Sequence, residues 1–337
     1  MNPVYVNAAG LACPVGLTWP SACAAMRAGI SRKSISAYTD DMGREIVASY
    51  LQQLISEDAS YEARWLFLLT QALRDLMGDS GPRALERIPI LLVLPPSSSD
   101  HPYAVNQVCA ALSKELGAQL SPDLLQLFGD GAYGGYVALQ KGRASVHAGR
   151  ACIVAAADSF LSARRLLALA EQQRLLVEGN SDGFIPGEAA CAMLLSPDRC
   201  HALGQVSGIG FAIEPSLLDN DTPLRAAGLV AAAQAALDEA GMEPADLDFR
   251  LSDAAGESFY FKEQSLLVSR LLRARKPAFP LWLPAVSLGD TGAAAGLCSL
   301  LWALAAWNRD YAPGPRALAC AGNAQGARAA VVLESVK

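Results

Sequence analysis

Two short runs of the sequence are apolar at every position, and they constrain the fold more than any other feature. Residues 88–94 (IPILLVL) and 151–157 (ACIVAAA) have the length of strands and leave no polar face. A strand with two apolar faces has to be covered on both sides, as in sheets that lie between layers of helices. The sequence therefore predicts a layered α/β protein with a buried sheet.

Stretches with helical periodicity alternate with such strands along the chain. Residues 61–77 place apolar side chains three and four positions apart, and a second round of strands and helices follows Pro197. In that round, residues 293–307 are apolar on all sides, which predicts a helix buried all round. The two similar rounds predict two related halves, residues 1–200 and 201–337, that share one core.

Breaker residues set the remaining predicted boundaries. The opening strand, residues 4–8, is expected to break at Gly10. A short strand is predicted from Leu124 to Phe128, and after the Gly-Asp-Gly turn a helix is predicted over residues 135–148.

Composition excludes several classes of protein. The 337 residues are 52% hydrophobic and 18% charged, and disordered chains need the opposite balance. A net charge of −6 argues against binding to nucleic acid, which calls for a basic face. No apolar run reaches the ~18 residues of a membrane span, and the first residues lack the pattern of a signal peptide. We therefore expect a cytoplasmic protein with neither nucleic acid nor membrane as partner.

Neither the cysteines nor the histidines form a recognisable ligand set. The eight cysteines are scattered singly without a Cys-x-x-Cys pair, and most stand among Ala, Val and Leu. Free cysteine in such surroundings behaves as a small buried hydrophobe. His101, His147 and His201 are far apart in sequence. We expect no metal and no cofactor.

Several motifs in a fixed order carry more specific information. Residues 180–190 (NSDGFIPGEAA) precede the apolar run 191–195. The other motifs lie at residues 10–16 (GLACPVG), 157–159 (ADS), 246–248 (DLD), 252–256 (SDAAG) and 289–296 (GDTGAAAG). In this order they resemble the β-ketoacyl synthases of the thiolase superfamily over nearly the whole chain. The resemblance implies an α/β, thiolase-like five-layer α-β-α-β-α fold built from two related halves.

The chemistry of that family needs four side chains. A cysteine thiolate accepts the acyl group at a strand-to-helix turn, two histidines stabilise the charge that develops during decarboxylation, and a lysine supports the second histidine. The resemblance places the cysteine position on Ala132 and the first histidine position on Ala255. It places the lysine position on Ala285 and the second histidine position on Asp290.

None of these four replacements can perform the family reaction. An alanine accepts no acyl group, and an aspartate repels an enolate. Cys109 falls in a predicted helix and Cys152 in a predicted buried strand, so neither can substitute for the missing thiol. The sequence therefore predicts a synthase fold without synthase chemistry.

Three functions remain open. The first is a non-catalytic interaction or stabilising partner, either beside a bacterial type VI secretion effector or as a chain-length-factor-like subunit of a synthase heterodimer. The second is an acyltransferase with non-standard residues, using Asp130, Asp253, Glu257 or Asp290 as acid or base. The third is a module that binds an acyl carrier protein or acyl chain without turnover. The chain is shorter than the family's usual length, which favours the accessory protein.

The resemblance also implies a dimer. In the family, the strand before the nucleophile pairs with its twin across a two-fold axis. Here that strand runs from Leu124 to Phe128, and its apolar side chains would make a poor exposed edge. We expect a homodimer or a heterodimer through this strand. A retained tunnel would favour the acyl-binding module, and a filled pocket would favour the interaction protein.

Overall fold

The computed structural model describes residues 4–56, 58–96 and 104–337. The strands are β1 (Val4–Ala12), β2 (Lys33–Thr39), β3 (Glu45–Ser49), β4 (Ile90–Val93), β5 (Leu125–Phe128), β6 (Cys152–Ser159), β7 (Glu188–Ser196), β8 (Gly204–Ile213), β9 (Phe249–Ser252), β10 (Leu281–Trp282), β11 (Arg316–Gly322) and β12 (Ala327–Glu334). The α-helices are α1 (Trp19–Arg27), α2 (Tyr61–Met77), α3 (Val105–Leu116), α4 (Gly131–His147), α5 (Ala163–Glu171), α6 (Ala227–Ala240), α7 (Ser258–Leu271), α8 (Ala285–Leu288) and α9 (Ala295–Asn308).

Ten of these strands form one mixed sheet that is built from two similar half-sheets. The order is β10-β9-β11-β12-β8-β1-β7-β6-β4-β5. From β1 outward, the strand pairings are antiparallel, antiparallel, parallel and parallel, and the same series runs outward from β8. The half-sheets meet where Val4, Tyr5 and Val6 of β1 pair with β8.

Helices cover both half-sheets and also fill the space between them. The largest apolar cluster places Tyr136 of α4 and Leu297 of α9 among side chains of both half-sheets. On the outer faces, α2 and α3 pack on the first half-sheet, while α6 and α7 pack on the second. The predicted five-layer α-β-α-β-α arrangement is confirmed.

The central helix α9 is buried as its composition predicts. Every residue of α9 except Trp302 and Asn308 is buried. A helix that contacts a sheet on each side has no solvent-facing stripe, so it needs apolar residues all round.

Three of the predicted boundaries that differ from the structure have a local cause. The strand β1 continues through Gly10. A Cβ at this position would lie 2.0 Å from the Ala72 carbonyl oxygen, so the glycine is needed for the close packing of α2 and does not break the strand. The helix α4 begins at Gly131, four residues before the predicted start, because Gly134 and Gly135 lie within its first turns and pack closely on neighbouring side chains. Leu124 lies in a 3-10 turn, so β5 begins at Leu125.

No helix within residues 4–56, 58–96 and 104–337 has the length and apolar character needed to cross a bilayer.

Candidate functional site

A cavity of about 240 Å³ lies where strands of both half-sheets end. Asp130 follows β5 and Asp253 follows β9, while Asp158 lies at the end of β6 and Asn323 follows β11. The carboxyl ends of parallel strands meet at one edge of a sheet, which is where α/β proteins place their ligands. The two halves therefore build this site together.

Three of the four positions implied by the resemblance meet in this cavity. Ala132 lies in the first turn of α4, Ala255 in the loop after β9, and Asp290 in the glycine-rich loop before α9. The fourth position, Ala285, is the first residue of α8 and is not among the described residues that line the cavity. All four carboxylates considered from the sequence, Asp130, Asp253, Glu257 and Asp290, do line it.

Ala132 follows a tight strand-to-helix turn, and its side chain is a methyl group. Gly131 takes a φ of +61° at the strand-to-helix turn, a conformation that glycine adopts without strain. The chain then continues into α4. The helix α9 packs closely against this turn, since a Cβ on Gly296 would lie 2.7 Å from the Ala132 carbonyl oxygen. The side chain of residue 132 thus lies at the start of a long helix and inside the cavity.

Two of the cavity's carboxylates are held by arginines. Glu257 accepts two hydrogen bonds from Arg174, at 2.8 and 2.7 Å. Asp158 is paired with Arg165 and also accepts from the Ala293 backbone N–H at 3.0 Å. Such forked pairs fix the orientation of both partners.

Asp290 and Asp253 are held by backbone groups. Asp290 accepts a hydrogen bond from the Gly292 N–H at 2.8 Å, and burial raises the pKa of this carboxyl to about 7. Asp253 accepts from the Gly322 N–H at 2.8 Å, and burial raises its pKa as well. Neither carboxylate forms an ion pair within the described part of the chain. Asp290 can therefore carry a proton close to neutral pH.

Sequence reasoning missed Arg165, Arg174 and Tyr260 as cavity residues. Arg165 lies on α5 with its guanidinium 4.3 Å from the Phe160 ring centroid, and Arg174 lies beyond that helix, 5.4 Å from the Phe184 ring centroid. No motif surrounds either arginine in the sequence. The carboxylate and the aromatic ring that each arginine contacts become its neighbours only when the chain folds.

Residues 180–190, the most specific motif of the sequence, form hydrogen bonds to segments that border the cavity. Asp182 accepts hydrogen bonds from the backbone N–H and the hydroxyl of Ser258, at 2.6 and 2.7 Å. Glu188 is buried and accepts from the Leu51 N–H at 2.8 Å and from the Ser159 hydroxyl at 2.7 Å. Residues 180–190 thus fix segments that border the cavity.

The described residues contain no cluster of three or more His, Cys, Asp or Glu side chains placed to hold a metal ion. Seven of the eight cysteines are buried and Cys200 is exposed. Cys109 lies on α3 and Cys152 on β6, both as predicted. His101 lies outside the described residues.

No family model matches the chain, and no curated protein matches it. Several solved structures do match the chain. A ketosynthase in complex with its chain length factor from Xenorhabdus doucetiae is similar with a TM-score of 0.78 and 15% identity, over 99% of this chain and 98% of that one. The ishigamide ketosynthase/chain length factor gives a TM-score of 0.73 and 20% identity, over 99% and 100% of the two chains.

A third similar structure is a type II polyketide acyl-carrier protein in complex with its ketosynthase, with a TM-score of 0.77 and 14% identity over 99% of this chain and 100% of that one. Together with the sheet order and the five layers, these likenesses settle the architecture. The chain has the thiolase-like fold of the ketosynthases and chain length factors.

Proposed function

We propose that this protein is a non-catalytic, ketosynthase-like subunit that pairs with a second chain of the same fold, as a chain length factor does. The observation that carries the proposal is the lining of the cavity. Among the described residues that line it, none is Cys, His or Lys. The position that would accept an acyl group is the methyl group of Ala132, so the fold offers no thiol for the first step.

The charges in the cavity support an interaction role over an acyl-binding role. The Arg174–Glu257 pair has side chains only 23% and 6% exposed, and the Arg165–Asp158 pair has side chains 27% and 1% exposed. An apolar chain laid against such groups would remove their remaining water without replacing its hydrogen bonds. The cavity is therefore a poor acyl tunnel.

The edge of the sheet supports pairing with a second chain. The strand β5 has β4 as its neighbour on one side, and within the described part of the chain no strand pairs with its other side. The Phe128 carbonyl accepts from the Leu94 N–H at 2.8 Å and so faces β4. Because backbone groups alternate along a strand, those of Leu127 face the open edge. A free edge of this kind is a template for another strand.

We favour the chain-length-factor-like role over an accessory role beside a type VI secretion effector. The support is that two of the similar structures contain a ketosynthase with its chain length factor. We propose either a homodimer or a heterodimer through β5. The acyl carrier protein is a further proposed partner, since one similar structure is a complex of that kind.

A condensation assay tests the loss of catalysis. Malonyl-carrier protein and an acyl primer should give neither carbon dioxide nor a protein-bound acyl mass with the natural chain. Ala132→Cys should add an acylatable thiol and still form no carbon–carbon bond, because Ala255 has no side-chain donor for the enolate and Asp290 repels it when ionised. Ala148→Cys, at the exposed opposite end of α4, is the matched control for an added thiol. Condensation by the natural chain or by Ala132→Cys contradicts the proposal.

One observation favours a second candidate, acid–base chemistry at Asp290. Its pKa of about 7 matches the range in which a general acid or base works best at neutral pH. Hydrolysis of the thioester is measured in the same incubation as release of the free acid from the acyl-carrier protein. Hydrolysis that disappears in Asp290→Asn, with the fold retained by circular dichroism, would establish this function in place of the first.

A further inference from the structure

A second cavity, of about 380 Å³, lies between α1 and the C-terminal end of α9. Its described lining residues are distinct from those of the first cavity. The inference that follows does not rest on the proposed function.

The floor of this cavity is apolar and fixed. Trp19, Cys23 and Ala305 line it and are only 8%, 2% and 3% exposed. The Trp19 indole N–H donates to the Leu301 carbonyl oxygen at 2.9 Å, which holds the ring in place. Tyr311 forms one wall, and its ring stacks on Trp282 with the centroids 6.1 Å apart. The cavity is therefore preformed and suited to an apolar body.

Positive charge lies beside this apolar floor. The Arg27 guanidinium lies 4.3 Å from the Tyr311 ring centroid, and Arg309 is exposed. Neither arginine has a carboxylate partner within residues 4–56, 58–96 and 104–337.

The neighbouring carboxylate of Asp310 is paired with Lys337 at 2.8 Å. The carboxylate of Asp75 also lies near the floor, where it accepts from the Trp19 and Leu11 N–H groups. Because two arginines stand against this one carboxylate, the net charge beside the cavity is positive.

We propose that this cavity binds a small amphiphilic carboxylate. The apolar body of the ligand lies on Trp19, Cys23 and Ala305. The carboxylate head group of the ligand is held by Arg27 and Arg309. The volume is within the range of small-molecule sites, and the planar guanidinium group matches a carboxylate better than any other side chain does. The positive charge of the two arginines therefore favours a carboxylate head group, and the buried apolar floor favours an apolar body of the ligand.

Three probes with the same tail test the proposal: octanoate, octanol and octylammonium. Trp19 lines the cavity and Trp282 stacks on Tyr311, so binding changes the tryptophan emission. Calorimetry gives each Kd independently. Octanoate should bind saturably and about tenfold more tightly than octanol, with octylammonium weakest, because a charge-assisted hydrogen bond contributes about this factor.

Variants assign the binding to this cavity. Arg309→Gln should weaken octanoate about fivefold or more and leave octanol unchanged, because it removes a charge and little apolar surface. Ala24→Trp should fill the cavity and abolish both. Arg199→Gln, an exposed arginine outside the lining, is the matched control and should bind as the natural chain does. Thermal melts by circular dichroism verify the fold of each variant.

Four results overturn the proposal: no saturation with octanoate, equal affinity for octanoate and octanol, an unchanged octanoate Kd in Arg309→Gln, or binding that survives Ala24→Trp. Binding of an acidic polypeptide without binding of octanoate also overturns it and assigns the cavity to a protein partner.

Discussion

At the scale of single residues, Asp290 shows how burial changes the chemistry of a side chain. It lies in a loop whose glycines allow a tight turn, and Gly292 in that loop takes a φ of +53°. Its carboxyl has one backbone donor, from Gly292, and no ion pair within the described residues. Because burial outweighs that hydrogen bond, the pKa rises from 3.8 to about 7. The folded protein therefore holds a proton that the unfolded chain releases.

This difference makes the stability depend on pH. Between pH 3.8 and about 7 the folded state binds the Asp290 proton and the unfolded state does not, so the free energy of unfolding falls as the pH rises through this range. Asp290→Asn keeps an acceptor for Gly292 and has no charge to bury. We expect it to be more stable than the natural chain at pH 8 by about 4 kcal/mol and nearly equal near pH 4.

Urea unfolding at the two pH values measures the difference. Asp219→Asn, in an exposed turn, should behave like the natural chain at both. The prediction is wrong if Asp290→Asn and the natural chain show the same change in unfolding free energy between pH 4 and pH 8.

At the scale of elements, glycines let a helix lie directly on the first strand of each half-sheet. On β1, a Cβ at Gly10 would lie 2.0 Å from the Ala72 carbonyl oxygen of α2. On β8, a Cβ at Gly210 would lie 2.0 Å from the Ala232 carbonyl oxygen of α6. The two contacts are equivalent in the two half-sheets, which supports our proposal that residues 1–200 and 201–337 are related halves.

We expect Gly210→Ala to destabilise the fold by about 2–3 kcal/mol, because the added methyl group forces α6 away from β8. Chemical denaturation at neutral pH measures the loss. Ile213→Ala lies on the same strand at a side chain that is 68% exposed, and it should change stability by less than about 0.5 kcal/mol. A Gly210→Ala variant as stable as the natural chain would show that the contact is looser than the structure indicates.

At the scale of the whole molecule, the edges of the sheet decide how the chain associates. At one end β10 has only two residues, Leu281 and Trp282, and at the other end β5 has four. Within β5, Leu125 is buried, Leu127 and Phe128 are half-buried, and Gln126 is exposed. The longer edge is the better template for a partner strand.

We expect a dimer in solution, and we expect Gln126→Lys to shift it toward the monomer, because lysine on an edge strand places like charges against each other across a two-fold axis. Light scattering coupled to size-exclusion chromatography at several concentrations measures the mass. Gln172→Lys, an exposed residue after α5, should leave the mass unchanged. A natural chain that stays monomeric at high concentration contradicts a homodimer through β5 and leaves the heterodimer as the form in which this strand would pair.

The sequence by itself determined the elements whose signal is local. The bounds of α2 at Tyr61–Met77 are those predicted, because the spacing of the helix's own apolar residues defines them. The burial of α9 follows for the same reason, whereas the five layers were implied by the resemblance to the β-ketoacyl synthases. The sequence also located Ala132, Ala255 and Asp290, three positions that the fold then brings together.

Only the tertiary structure decided what depends on distant neighbours. The sequence did not indicate the hairpin of β2 and β3, the continuation of β1 through Gly10, or the entry of Arg165 and Arg174 into the cavity. It could not show that Asp290 has a pKa near 7 or that Arg27 stacks on Tyr311. Periodicity reports which face of an element is apolar, whereas charge pairing, desolvation and close backbone approach arise between residues that only folding makes neighbours.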